Sequence, residues 1–269
     1  MKPVSRTAFY CCGLRMRDAR EDRPLCGDTY AQLFMSEDGI AYLKKFDGHW
    51  GPNSSNLVRH RLIDDIVRAE VSEDPRLRVF TIGAGFDTRP YRVDGGRWVE
   101  LDAPELMAYK EERLPAADAR NELVRIPIDF DTERLEDKLA PFATDERALF
   151  VIEGVLMYLD VATIRATLDT LKRLFPSHRI ACDLMTLKML QKFASEAHRI
   201  IAEEGAVMKV SEPDTADVFT RAGYTLDQRV SITEHVTRFG LNGSAPLLIL
   251  KTFLRTLYKG YTVAVFSYG

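Results

Sequence analysis

The sequence predicts an α/β fold: a doubly wound, mostly parallel sheet preceded by a helical segment. Three observations carry that expectation. Apolar, β-forming runs alternate with helix-compatible segments between residues 77 and 185. The first run, LRVFTIG, leads into a turn that holds Gly83 and Gly85. Later runs end on acidic residues, and the carboxyl ends of strands are where open α/β sheets bind ligands.

Taken in order, residues 4–72 read as helical with polar breaks. SRTAFYCCGLRMRDAR has Ser5 at an N-cap position and apolar residues at helical spacing. DTYAQLFM and GIAYLKKF read as two short helices, and the Gly-, Pro- and Asn-rich stretch 47–56 as a loop. LVRHRLIDDIVRAEV places Leu57, Val58, Leu62, Ile63, Ile66 and Val67 on one helical face. Five strands follow at 77–83, 96–102, 121–130, 148–154 and 178–185. The helical segments APELMAYKEERL, DTERLEDKLAPF and DVATIRATLDTLKRLF separate the later ones. Residues 186–205 read as one amphipathic helix, SEPDTADVFTRAGYTL as another closed by Gly223, and GYTLDQRVSI as a late strand. A helix and the strand YTVAVFSYG close the chain. One integrated domain is expected, with a helical cap over 1–72 and a Rossmann-like, cofactor-binding core over 73–185. A helical lid and substrate region follows over 186–240, and a helix and strand over 241–269 complete the sheet.

With 46% hydrophobic residues among 269, the chain has enough apolar material for a sizeable core. A net charge of -3 argues against nucleic acid or an anionic membrane as partner. No apolar run approaches the roughly 20 residues that span a bilayer, and MKPVSRTAFYCC shows no secretory pattern, so a cytoplasmic protein is expected. Cys11, Cys12, Cys26 and Cys182 match no zinc spacing and read as reduced thiols, so no metal is expected.

Gly83, Ala84 and Gly85 form a turn in which the missing Cβ atoms let the backbone approach a ligand, and the helix after it can favour negative charge. The alternative is an ordinary strand-to-helix turn. A dinucleotide fingerprint wants a third glycine where Thr88 stands, which weakens a dinucleotide reading. Glu100 and Asp102 end the second strand on the same side, where a carboxylate accepts from ribose hydroxyls. Asp129 ends the third strand, at a place where an acid meets an adenine amino group. Glu153 ends the apolar fourth strand, either salt-bridged or facing a ligand.

On SRTAFYCCGLR, RHRLIDDIV, GAGFDTRPYR, ELDAPELMAYK, IDF and EGVLMYL, in that order, the chain resembles the leucine carboxyl methyltransferase group of S-adenosylmethionine-dependent O-methyltransferases. That group includes polyketide carboxyl methyltransferases. Thr29 stands where relatives often have Pro, and Phe130 where Leu is usual. The resemblance implies a seven-stranded class I methyltransferase sheet, a helical lid, and S-adenosyl-L-methionine as cofactor with S-adenosyl-L-homocysteine as product. It implies that Gly83, Ala84 and Gly85 pack against the cofactor, Asp102 holds its ribose, and Asp129 with Phe130 frames adenine. Glu153 would meet the methionine ammonium, Arg59 its carboxylate, with Arg6 assisting. Arg59 also reads as a surface charge. Arg89 and Arg92 read either as ligand contacts or as salt-bridge partners of Asp87 or Glu100.

The implied partner is a small-molecule or peptide carboxylic acid. Such an acid is ionised at neutral pH and needs no base, whereas a phenol needs one. Of the five histidines, His235 in ITEHVTRFG is the candidate base, while His60 and His198 read as packing or surface residues. Tyr158 is the candidate to orient the acceptor. One of Arg15, Arg17 and Arg20 faces an anionic substrate, or all three lie on a solvated face. Two other classes compete: an NAD(P)-dependent oxidoreductase, which lacks here a Tyr-x-x-x-Lys pair, and a non-catalytic cofactor-binding protein.

Overall fold

The computed structural model describes residues 3–193, 196–241, 247–252 and 254–269. Strands β1 (Arg78–Ile82), β2 (Arg97–Asp102), β3 (Leu123–Pro127), β4 (Ala148–Ile152) and β5 (His178–Met185) run parallel. β7 (Tyr261–Tyr268) lies antiparallel between β5 and β6 (Thr225–Ser231), giving the order β3-β2-β1-β4-β5-β7-β6. The central strands RVFTI and ALFVI are apolar almost throughout, as strands covered on both faces must be. Strand order reverses between β1 and β4, which opens a crevice at their carboxyl ends.

The helices are α1 (Pro3–Asp18), α2 (Glu37–Lys44), α3 (Trp50–Glu73), α4 (Arg89–Arg92), α5 (Pro104–Arg113), α6 (Leu135–Leu139), α7 (Val161–Leu174), α8 (Leu187–Phe193), α9 (Glu196–Glu203), α10 (Ala216–Arg221), α11 (Ile232–Arg238), α12 (Leu247–Thr252) and α13 (Arg255–Gly260). On one face of the sheet, Val58, Ile63 and Val67 of α3 pack with Val79, Leu149 and Val151. On the other, Leu168 of α7 and Phe219 of α10 join Phe80, Phe150 and Phe175. Phe80 and Phe150 stack at 4.8 Å, and burying each such ring stabilises the fold by about 1.5–3 kcal/mol. A third cluster joins α1 and α2 to α9 through Phe9, Tyr10, Tyr42, Leu43, Ala197 and Ile201. No helix among the described residues is long and apolar enough to cross a membrane.

Several local expectations need correction. Residues 50–56 are not loop but the first turns of α3. Pro52 is tolerated there because first-turn N–H groups lack helical acceptors, and Asn53 donates to the Phe46 carbonyl at 3.0 Å. Ser5 lies inside α1, which begins at Pro3, rather than capping it. Residues 28–35 form only a 3-10 turn, Ala31–Phe34. Residues 131–142 hold the short α6 and a 3-10 turn. The segment 186–205 contains two helices, α8 and α9, and the C-terminal helix likewise comprises α12 and α13; residues 194, 195 and 253 lie outside the described ones. β3 ends at Pro127, so Asp129 sits in the turn beyond it. The glycine turn leads to a single helical turn, α4, too short for an appreciable dipole.

Candidate functional site

A cavity of about 1190 Å³ opens over the carboxyl ends of β1, β2 and β4, roofed by α1, the start of α3, α8 and α9. The glycine turn lies on its floor. Gly83 and Gly85 adopt φ of +72° and +50°, a left-handed conformation that costs a Cβ-bearing residue. At Gly83 a Cβ would also run into Cγ2 of Val155. The turn's N–H groups are already used. Gly83 and Ala84 donate to the Leu101 carbonyl at 2.9 and 3.0 Å, and Gly85 donates to Asp102 Oδ2 at 2.7 Å. A pyrophosphate needs such donors free, so the turn suits a nucleoside rather than a dinucleotide.

Asp102 ends β2 at the cavity. Its Oδ1 accepts from Ala103 N–H at 2.6 Å, and each oxygen keeps a lone pair for a hydroxyl. Burial raises its pKa against the opposing pull of the Gly85 and Ala103 amides. Glu100 is fully buried, and Lys110 (2.7 Å) and Arg125 (3.0 Å) hold it in place.

A buried ion network forms another wall. Arg59 sends Nε to Glu153 Oε1 (3.1 Å) and Nη1 to the Tyr261 hydroxyl (2.8 Å) and Asp183 Oδ2 (3.5 Å). Its Nη2 meets the Cys11 thiol at 3.6 Å. Arg89 reaches Glu153 Oε2 (2.9 Å), Asp87 (2.7 Å) and Asp64 (2.6 Å), so it pairs with Asp87 and not with Glu100. Arg92 pairs with Asp64 at 2.8 Å. Arg15 pairs with Asp28 at 2.9 Å and donates to the Phe86 carbonyl at 2.6 Å. Thr88, in place of the third glycine, donates to Asp28 at 2.8 Å.

Burial works against the Glu153 charge, but His60, Arg89 and Arg59 together hold its pKa well below the usual carboxylate range. Burial and Arg89 lower the pKa of His60. The ring has Arg89 Nη2 (3.0 Å) and Glu153 Oε2 (3.3 Å) at Nδ1 and Arg92 Nη2 (3.1 Å) at Nε2, so two guanidinium groups face it and disfavour a charged imidazolium. Glu153 is therefore salt-bridged and also part of the cavity wall.

The cavity brings together Arg59, Gly83, Ala84, Gly85, Asp102, Asp129, Phe130, Glu153 and Tyr158. Phe130 is 46% exposed, with its ring at the rim. Burial raises the pKa of Tyr158, so its hydroxyl stays a donor. Arg6 does not line the cavity; it pairs with Glu204 at 2.8 Å and lies over the Tyr42 ring. His235 does not line it either. α11 turns Thr233 and Val236 inward, while the His235 ring meets the Ser231 carbonyl at 3.0 Å. Of the three N-terminal arginines, Arg15 lines the cavity in its ion pair, and Arg17 pairs with Asp47 on the surface. Asp28, Asp64, Asp183 and Tyr261 escaped the sequence reading. The signal for two of them is an acid inside an apolar pattern, LIDDIV and IACDLM.

The leucine carboxyl methyltransferase profile matches residues 8–172, a stretch that supplies α1, the glycine turn, Asp102 and Glu153. The chain belongs to the leucine carboxyl methyltransferase family. Family relatives include a putative S-adenosyl-L-methionine-dependent methyltransferase of Mycolicibacterium paratuberculosis, 26% identical over 84% of this chain and 75% of the relative. One of the same description from Mycolicibacterium smegmatis is 28% identical over 58% of each chain, so the match spans little more than half of that relative. Among solved structures, a DUF574 family protein of Streptomyces avermitilis aligns with TM-score 0.58 at 14% identity, covering 89% of this chain and 95% of that one. Magnesium protoporphyrin IX methyltransferase of Synechocystis aligns at 0.51 with 11% identity, covering 90% and 99%. The fold is thus the Rossmann-like class I methyltransferase fold.

The family's cofactor is S-adenosyl-L-methionine, a nucleoside carrying a sulfonium, an ammonium and a carboxylate. The donor set fits it. Asp102 would offer carboxylate oxygens to the ribose hydroxyls and Phe130 an aromatic face to adenine, while Glu153 and Arg59, paired with each other, would face the ammonium and the carboxylate. The Thr81 hydroxyl, buried on β1 and lining the same cavity, has no partner among the described residues.

Proposed function

We propose that the chain methylates a carboxylate oxygen of a small-molecule or peptide acid, with S-adenosyl-L-methionine as methyl donor. When bound, the cofactor supplies a methyl group activated by a positively charged sulfur. The protein's part is to bind, orient and exclude water. Asp102 and Glu153 fix the two ends of the donor, the α1 and α9 roof keeps solvent away, and the Tyr158 hydroxyl donates to an acceptor oxygen. Charge is neutralised as the methyl moves, so a dry site favours transfer, and positioning supplies much of the rate.

The observation that carries the carboxylate reading is the fate of the candidate bases. His235 lies outside the cavity, His60 is locked between arginines and carboxylates, and Tyr158 holds its proton. A carboxylate needs no base. A phenolic acceptor is the second reading, favoured by His198, which lines the cavity and whose pKa is lowered by burial, so that it is neutral and able to accept a proton. Transfer of labelled methyl, followed by mild alkali, separates the two. A methyl ester releases its label as methanol, and an aryl methyl ether keeps it.

A further inference from the structure

The cavity is larger than one ligand requires. Pockets that bury a drug-sized molecule span about 300–1,000 Å³, and this one holds about 1190 Å³. Its lining also divides by chemistry. Asp102, Glu153 and Arg59 belong to strand ends and α3. A second set comes from later elements: Met185 of β5, Met189 and Phe193 of α8, Ile201 of α9, Val236 of α11 and Leu257 just ahead of β7. All six follow residue 172, where the family match ends, so the shared motifs do not specify this wall.

Beside this wall His198 and Lys209 also line the cavity, while two other polar groups are turned to the backbone. The Thr233 hydroxyl donates to the Leu257 carbonyl at 3.1 Å, and His235 is held by Ser231. Four of the chain's eight methionines, Met157, Met185, Met189 and Met208, line the cavity, and such flexible thioethers adapt to the shape of an apolar guest.

Resting on the carboxyl methyltransferase reading, the geometry points to this apolar wall as the acceptor subsite, and to a small carboxylic acid with a hydrophobic body as its occupant rather than a peptide or protein C-terminus. A peptide brings one N–H and one C=O per residue, and each would exchange water for aliphatic carbon and sulfur with no partner. A hydrophobic acid has one polar group, its carboxylate. In the transfer a carboxylate oxygen bonds to the methyl carbon, and the carbon–sulfur bond breaks with its electron pair left on sulfur. An anion and a sulfonium become a neutral ester and a neutral thioether, with no proton to place.

The test uses the full chain, labelled S-adenosyl-L-methionine, straight-chain acids from hexanoic to dodecanoic, and peptides ending in leucine. The expected result is a kcat/KM that rises about fourfold per added methylene until the wall is covered, with the peptides at least about a hundredfold lower. Val236→Asp should raise KM for the longer acids at least about tenfold while S-adenosyl-L-homocysteine still binds. Peptides methylated as well as the acids, or a Val236→Asp variant with unchanged KM, would overturn the subsite assignment and leave carboxyl methylation standing. Label found only in alkali-stable products would overturn the carboxyl reading, and this inference with it.

Discussion

Arg59 and Glu153 lie 94 positions apart in the chain and 3.1 Å apart in the fold. The pair joins α3, which precedes the sheet, to the end of β4 at its centre. It ties α3 to the sheet, because the helix's cation neutralises the acid at the cavity wall. Replacing Arg59 by leucine leaves Glu153 and Asp183 with one fewer cation. The expected outcome is a loss of S-adenosyl-L-homocysteine affinity of about 10–100-fold, read by calorimetry. Arg59→Lys should not restore it, because an ammonium cannot span Glu153, Tyr261 and Asp183 at once.

Arg89 is 1% exposed and holds Asp64, Asp87 and Glu153. Removing one partner of a buried ion pair costs about 3–5 kcal/mol. Arg89→Met should therefore lower the melting temperature by on the order of 10 °C, seen by calorimetry or circular dichroism. An unchanged melting temperature would show that the network adds nothing to stability.

The buried histidines give stability a pH dependence. Burial lowers the pKa of His60, His178 and His198 below the ordinary 6.5. The unfolded chain takes up protons near that value that the folded chain refuses, so stability should fall as pH drops from about 7 to about 5.5. Asp64, Asp87 and Glu153, held below the carboxylate range, add a further loss below about pH 4.5. Asp102 and Asp183, raised by burial, oppose that second part. The His60→Gln variant should lose less stability than the parent between about pH 7 and about pH 5.5, measured as melting temperature against pH.

Gly83 combines a positive φ with the close approach of Val155. Gly83→Ala should destabilise by about 1–3 kcal/mol and weaken cofactor binding. Adding Val155→Ala should recover the steric share of that loss but not the conformational share. Full recovery would mean that φ strain is negligible there.

These relationships show what was legible in the sequence. β1 and β4 could be read because strands covered on both faces must be apolar, and Asp102 and Glu153 because acids at the ends of such strands stand out. The start of α3 could not be read. Gly51, Pro52 and Asn53 favour turns locally, and the helix begins there through contacts with distant residues, Asn53 with Tyr10 and Phe46. His235 was misplaced relative to the cavity because helical phase decides which side chains of α11 point inward. Asp28 was passed over because nothing in its local pattern marks it as buried until its pairing with Arg15 is known, and Asp183, though it interrupts the apolar run IACDLM, because its cation Arg59 lies 124 positions away.

The central claim is that one cavity binds a sulfonium nucleoside through Asp102. Calorimetric titration of the full chain and of Asp102→Ala with S-adenosyl-L-homocysteine tests it most directly. The account predicts one-to-one binding by the parent and affinity at least about tenfold weaker in the variant, with both chains folded. No binding by the parent, or equal affinity in the two, would contradict it.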